Sequence, residues 1–270
     1  MTLYAAANPK ALSLSDLLAM KRTREKISCL TAYDASFSQM LDRVGIDVIL
    51  VGDSLGMVIQ GHTSTIPVTV EDMVYHTRCV TSARKRAFVI ADLPFASYAT
   101  PKQAVKNAAR LLQSGGAQMV KLEGNKCAMV TRLVDQGIPV CGHVGLLPQS
   151  VNRLGGYKVQ GREPARAQQI LEEALSLEQA GASLLILECI PALLAAEISQ
   201  SLTIPVIGIG AGAACDGQVL VLYDILNISV GNRPRFSKNF MAAADSIEQA
   251  IHHYHQAVKT STFPSAEHCY

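Results

Sequence analysis

Ile46-Asp-Val-Ile-Leu-Val-Gly-Asp53 is an apolar run that closes on an acid, and the same figure recurs along the chain. Phe88-Val-Ile-Ala-Asp92, Met119-Val-Lys-Leu-Glu123 and Leu184-Leu-Ile-Leu-Glu188 repeat it. Short apolar runs, each followed by a helical pattern, read as buried parallel strands. Parallel strands that close into a barrel present their C-terminal ends to one face, where active sites are built. Four carboxylates brought together there repel one another unless positive charge sits among them. A divalent cation and Lys121, two residues before Glu123, are the counter-charges at hand. Taken singly, an acid after a strand is often a helix N-cap or a turn residue. Four at equivalent places point to a metal-dependent enzyme.

Working outward, strands are expected near 26–32, 46–52, 87–92, 118–123, 138–143, 183–188 and 204–209, with an eighth, weaker one within 221–230. Helical patterns fill 35–44, 70–84, 101–114, 125–136, 164–180, 191–200 and 240–258. Thr69 with Asp72 and Thr100 with Gln103 fit capping boxes, and Pro101 takes the favoured first helical position. Gly45, Gly115-Gly116, Gly137 and Gly181 stand where helices stop. Ser13 opens a further amphipathic segment, 13–21, placed across the bottom of the barrel. Unbroken alternation without a linker predicts a single (β/α)8 TIM barrel with an extra N-terminal helix. One domain then covers 1–270, with 1–12 and 260–270 as loose termini. Two long connections, 54–69 and 144–163, are expected to act as lids or substrate walls.

Composition narrows the function classes. A chain of 270 residues with 49% hydrophobic and 17% charged residues and no Trp describes a large aliphatic core. Nothing reaches the roughly 18 uninterrupted apolar residues of a membrane span, and the first residues lack a secretory pattern. Seven Cys without a C-x-x-C pair suit reduced thiols in the cytoplasm. A net charge of +2 argues against nucleic acid as a partner. The basic run Arg84-Lys85-Arg86 precedes a strand, so it belongs on the face opposite the carboxylates, as a solvated helix end. His252, His253, His255 and His268 lack the i, i+4 spacing of a metal-binding helix and read as surface. Gly208-Ile-Gly210-Ala-Gly212-Ala213 nominally fits a dinucleotide fingerprint. It falls on the seventh strand, with no acid about 20 residues on, and reads better as a glycine-lined substrate loop.

The residues expected at one mouth are Tyr33, Asp34, Asp53, Ser54, Asp92, Lys121, Glu123, His143 and Glu188. Hard oxygen donors suit Mg²⁺ or Mn²⁺, and Mg²⁺ commonly takes one or two protein carboxylates, here Asp53 and Asp92. Such an ion chelates a 2-oxo acid and stabilises its enolate as a Lewis acid. A separate carboxylate removes the proton α to the carbonyl, and Glu188, followed by Cys189-Ile190-Pro191, is the more apolar-set acid. Other roles stay open at this point. Tyr33 and His143 could be hydrogen-bonded strand-end residues, Ser54 an N-cap, and Lys121 a Schiff-base lysine.

At these residues the chain is similar to the ketopantoate hydroxymethyltransferase family. The matching stretches include Thr31-Ala-Tyr-Asp34, Val51-Gly-Asp-Ser-Leu-Gly-Met57, Ala91-Asp-Leu-Pro-Phe95, Met119-Val-Lys-Leu-Glu-Gly124, Pro139-Val-Cys-Gly-His143, Gly155-Gly-Tyr-Lys-Val-Gln-Gly161 and Leu187-Glu-Cys189. The resemblance runs in order from about residue 13 to the tail. It implies transfer of a hydroxymethyl group from 5,10-methylenetetrahydrofolate to 3-methyl-2-oxobutanoate, giving 2-dehydropantoate in pantothenate (coenzyme A precursor) biosynthesis. It further implies one Mg²⁺ per subunit, held by Asp53, Asp92 and Glu123, through a Mg-stabilised enolate. Asp53, Ser54, Asp92 and Lys121 match the 2-oxo-acid contacts, Glu188 matches the general base, and a homo-oligomer, a decamer, is implied. Cys215 departs from the family's usual Thr, and Asn232 from a usual His. The rival readings are another Mg-dependent 2-oxo-acid enolate lyase of the same barrel type and a non-catalytic metabolite-binding barrel. The 2-methylisocitrate-type lyases carry a Lys-Lys-Cys-Gly-His loop that has no counterpart here.

Overall fold

Eight parallel strands close on themselves in chain order, each hydrogen-bonded to the next and the eighth to the first. The computed structural model describes residues 10–231 and 233–270. The strands are β1 (Ile27–Thr31), β2 (Val48–Val51), β3 (Phe88–Asp92), β4 (Met119–Glu123), β5 (Val140–Gly145), β6 (Leu184–Glu188), β7 (Val206–Ile209) and β8 (Gly217–Leu220). Nearly all their residues are buried, as expected of strands covered on both faces. The helices are α1 (Leu14–Thr23), α2 (Ala35–Val44), α3 (Leu55–Val58), α4 (Val70–Ala83), α5 (Pro101–Gln113) and α6 (Cys127–Val134). They continue with α7 (Val151–Leu154), α8 (Pro164–Gln179), α9 (Ala192–Ser201), α10 (Leu222–Ile225) and α11 (Ile247–Lys259). The barrel architecture read from the acid-terminated runs is the one observed.

The eighth strand is the main correction. It lies at Gly217–Leu220, ahead of the expected 221–230, where α10 stands instead. The reason is the seam. Gly217 pairs with Ile27 so closely that a Cβ would lie 2.3 Å from the Ile27 carbonyl oxygen. Only glycine fits there, and Asp216-Gly217 carries the signature of a turn rather than a strand start. Tyr254 of α11 covers this seam from outside, its hydroxyl 2.8 Å from the Cys29 carbonyl on β1 and 2.9 Å from the Gln218 carbonyl on β8.

Helix starts follow their caps. Ser13 and Thr69 form complete capping boxes with Asp16 and Asp72. Thr100 accepts from the Gln103 amide, but Gln103 returns no bond, so that box is half made. Helix α1 lies across the barrel bottom as expected. Its Leu17 is fully buried, a contribution of about 1.5–3 kcal/mol. Lys21 ties it down through the Ser199 carbonyl at 2.9 Å and Asp216 at 2.6 Å.

The same face carries an ionic cluster. Asp47, wholly buried, pairs with Arg86 at 2.8 Å and Lys259 at 2.7 Å and accepts from the amide and hydroxyl of Ser28, each at 3.0 Å. The basic run thus sits opposite the carboxylate mouth, with Arg86 a structural ion-pair partner rather than a solvated end. His255 is half-buried and bonds Ser28 Oγ through Nδ1 at 2.8 Å, and His268 is buried against Phe263. Neither is the surface histidine expected: the Ser28 hydroxyl of β1 holds His255, and Phe263 and the Ser265 hydroxyl hold His268. Residues 260–270, expected loose, pack through Phe263 and His268, while residues 1–9 lie outside the described residues.

Candidate active site

The C-terminal strand ends surround a cavity of about 470 Å³. Asp53 and Ser54 follow β2, Asp92 ends β3, Lys121 and Glu123 occupy β4, His143 lies in β5 and Glu188 ends β6. All of these line the cavity. Register explains the order: Asp92 is the β-partner of Lys121, and Glu123 of His143. Strands β2 and β6 stand four places apart in the ring of eight, which puts Asp53 and Glu188 on opposite walls.

Charge is concentrated and dry. Asp53, Asp92, Lys121, Glu123 and His143 are each at most 4% exposed. Lys121 Nζ lies 2.7 Å from Asp92 Oδ1, and the Asp53 amide donates to Asp92 Oδ2 at 3.0 Å. Burial and the neighbouring Asp92 charge push the Asp53 carboxyl up to about 7, against the pull of Lys121. Glu123 is driven well above the carboxylate range by burial, with Lys121 opposing and Asp53 adding to the rise. Burial alone would lower Lys121, but the Asp92, Glu123 and Asp53 charges outweigh it and hold the ammonium protonated. Burial pulls His143 below the usual histidine value, leaving a neutral imidazole. Its Nε2 lies 3.3 Å from Glu188 Oε2, without the alignment of a hydrogen bond, and neither ring nitrogen has a hydrogen-bond partner. A substrate oxygen or water would satisfy them.

Among the described residues no three His, Cys, Asp or Glu side chains converge as a ready metal shell. The hard-oxygen donors come as the Asp53–Asp92 pair. Such a pair fits Mg²⁺, which fills its remaining positions with water and substrate oxygens. Three buried carboxyl groups, Asp53, Asp92 and Glu123, face one ammonium, Lys121, and a divalent cation would supply the missing positive charge.

Two expected residues stand apart. Asp34 caps α2 by accepting from the Phe37 amide at 2.9 Å and does not line the cavity. Tyr33 is buried behind the wall, its hydroxyl 2.9 Å from Ser54 Oγ. Ser54 precedes α3 but makes no side-chain cap bond, so its hydroxyl serves Tyr33 and the cavity. Cys215 is buried outside the lining, its thiol pushed up to about 11 by burial, and Asn232 lies outside the described residues.

Sequence reading missed three participants. Gln149 donates through Nε2 to Asp53 Oδ2 at 2.8 Å and through its amide to Glu123 Oε2 at 3.0 Å. Tyr98 donates to Gln149 Oε1 at 2.5 Å. Asp224, raised by burial and bonded to Ser229 Oγ, lines the outer cavity with Val230, Pro234, Phe236 and Tyr270. Tyr98 and Gln149 fall in stretches that match the family, Tyr98-Ala-Thr-Pro101 and Pro148-Gln-Ser-Val-Asn152, but nothing in those stretches, or around Asp224, gives the residue a role at the site.

Comparison with known proteins completes the description. The model of the family described as ketopantoate hydroxymethyltransferase matches residues 11–266. The chain is 58% identical over 263 residues to the 3-methyl-2-oxobutanoate hydroxymethyltransferase of Alkalilimnicola ehrlichii, covering 97% of this chain and 95% of the relative. It is 59% identical over 258 residues to that of Shewanella loihica, covering 95% and 97%. In fold it is similar to phosphoenolpyruvate phosphomutase of Streptomyces platensis subsp. rosaceus, with TM-score 0.60, 14% identity and 80% and 83% coverage.

Proposed function

The chain belongs to the ketopantoate hydroxymethyltransferase family, and from that premise we propose how its barrel mouth works. The enzyme transfers a hydroxymethyl group from 5,10-methylenetetrahydrofolate to 3-methyl-2-oxobutanoate, giving 2-dehydropantoate. The observation that carries the mechanism is the division of labour across one cavity: Asp53, Asp92 and Lys121 on one side, Glu188 on the wall opposite Asp53.

Asp53 and Asp92 would hold one Mg²⁺ per subunit, with Glu123 as the third acid of the metal site. When bound, the ion supplies a Lewis acid that polarises the 2-oxo group. Lys121, kept as an ammonium by its acidic neighbours, pairs with the substrate carboxylate, and Ser54 Oγ offers a hydrogen bond beside Asp53. Glu188 takes the proton from C3. Water opens the methylene bridge, its oxygen going to the one-carbon unit as formaldehyde and its two protons to the two folate nitrogens; C3 then adds to that carbonyl carbon, and the proton held by Glu188 goes to the resulting alkoxide as the new hydroxyl. The apolar outer wall at Val230, Pro234, Phe236 and Tyr270 suits the flat pterin ring.

We place the whole chain, 1–270, in one domain that works in the cytoplasm as a homo-oligomer, a decamer. Free cysteines support a reducing compartment, and no described helix is long and apolar enough to cross a membrane. Exposed Tyr75, Phe95 and Leu193 offer apolar surface for self-association. Product analysis tests the reaction. Protein supplied with 3-methyl-2-oxobutanoate, 5,10-methylenetetrahydrofolate and Mg²⁺ should yield 2-dehydropantoate by mass spectrometry; unchanged oxo acid would overturn the assignment.

A further inference from the structure

We infer that Gln149 is a positioning residue that presets Asp53 and Glu123 for the metal, and that Tyr98 fixes the direction of its amide. The inference rests on the reading of Asp53 and Asp92 as ligands. Gln149 stands on a 3-10 turn, Pro148–Ser150, in the long loop after β5, and is 5% exposed. Its side-chain amide is fully used. Nε2 donates to Asp53 Oδ2 at 2.8 Å and to the Leu93 carbonyl at 3.0 Å, while Oε1 accepts the Tyr98 proton at 2.5 Å. Its backbone amide meanwhile donates to Glu123 Oε2 at 3.0 Å.

One residue therefore joins the ends of β2, β3 and β4, the three strands that carry the metal-site acids. Tyr98 decides which way the amide points. Its hydroxyl has one proton, given to Gln149, and its oxygen accepts from the Glu123 amide at 3.3 Å. The NH₂ group is thereby turned to Asp53. A neutral donor is what this place requires, since a cation here would compete with the metal and a carboxylate would add to uncompensated charge. Holding Oδ2 of Asp53 and Oε2 of Glu123 leaves the other oxygen of each carboxylate to be aimed. Partners of this kind fix ligand orientation, and their loss typically costs about 10–100-fold in metal affinity.

A plain loop anchor would share these contacts but would show itself in folding stability, not in metal affinity. The test is binding of Mn²⁺, followed by EPR, to wild type, Gln149→Met, Tyr98→Phe and the double variant, with thermal unfolding of each in EDTA. Gln149→Met should weaken Mn²⁺ by about 10-fold or more while its metal-free melting temperature stays near that of wild type. Tyr98→Phe should weaken it less, and the double variant no more than Gln149→Met alone, because both act through one amide. Wild-type affinity in Gln149→Met overturns the inference, as does weakening matched by an equal loss of metal-free stability. If Gln149→Met does not fold, unchanged affinity in Tyr98→Phe overturns it. Wild type that binds no Mn²⁺ overturns the ligand reading as well.

Discussion

Lys121 Nζ and Asp92 Oδ1 sit 2.7 Å apart on directly paired residues of β4 and β3, both almost wholly buried. The ammonium therefore cannot lose its proton without stranding a buried carboxylate. Lys121 should form no Schiff base, and borohydride with 2-oxo acid should leave its mass unchanged. Lys121→Ala should weaken substrate binding more than Lys121→Arg, and uncompensated Asp92 should cost about 3–5 kcal/mol of stability. A substrate-sized adduct on Lys121 would overturn this.

The proposed Asp53–Asp92 metal pair can be tested by removing the metal. Activity should vanish in excess EDTA and return with Mg²⁺. Asp53→Asn and Asp92→Asn should weaken metal-supported binding of 3-methyl-2-oxobutanoate, measured by calorimetry. Full turnover in EDTA would remove the metal from the mechanism.

Proton removal can be isolated from one-carbon transfer. Enzyme with Mg²⁺ in deuterated water should exchange the C3 hydrogen of 3-methyl-2-oxobutanoate without folate, read by NMR. Glu188→Gln should slow exchange by about 10²–10⁴-fold, the scale of general base catalysis, with a much smaller change in affinity. Exchange at the wild-type rate would shift the search to Glu123 or His143.

His255 gives a pH signature at the other end of the barrel. Burial lowers it to about 4, with the Asp47 charge opposing and Lys259, His252 and Arg86 assisting. Between about pH 4 and the free-histidine value near 6.5 the unfolded chain binds more protons at this site, so stability rises with pH across that window. The contribution is present in full above the window and lost below it. Burial is partial, so its size should be about 1–3 kcal/mol. Urea midpoints at pH 4.5 and 7 should differ less in His255→Gln than in wild type; an equal difference would discard the assignment.

Strand ends were legible because each buried run must stop where the chain meets polar surroundings, and Asp53, Asp92, Glu123 and Glu188 mark those stops. Helix starts were legible through Ser13 and Thr69, whose caps depend on residues three positions away. The eighth strand was not, since Gly217 is set by contact with Ile27, far away in sequence. Asp34 looked like Asp53 locally, yet its carboxylate turns back to cap α2. Gln149 was invisible for the same reason as Gly217: its partners Asp53, Leu93, Tyr98 and Glu123 lie 96, 56, 51 and 26 residues away.

The Tyr254 hydroxyl that spans the β1–β8 seam reaches 225 residues back to Cys29 and 36 back to Gln218. During synthesis, a chain that has emerged only as far as residue 246 lacks this clasp and the Lys259 charge that neutralises Asp47. The β1–β8 seam is then held by its backbone pairing alone, without the side chain that bridges it. The side-chain clasp on the ring's closing seam therefore comes from α11, one of the last elements of the chain to be made.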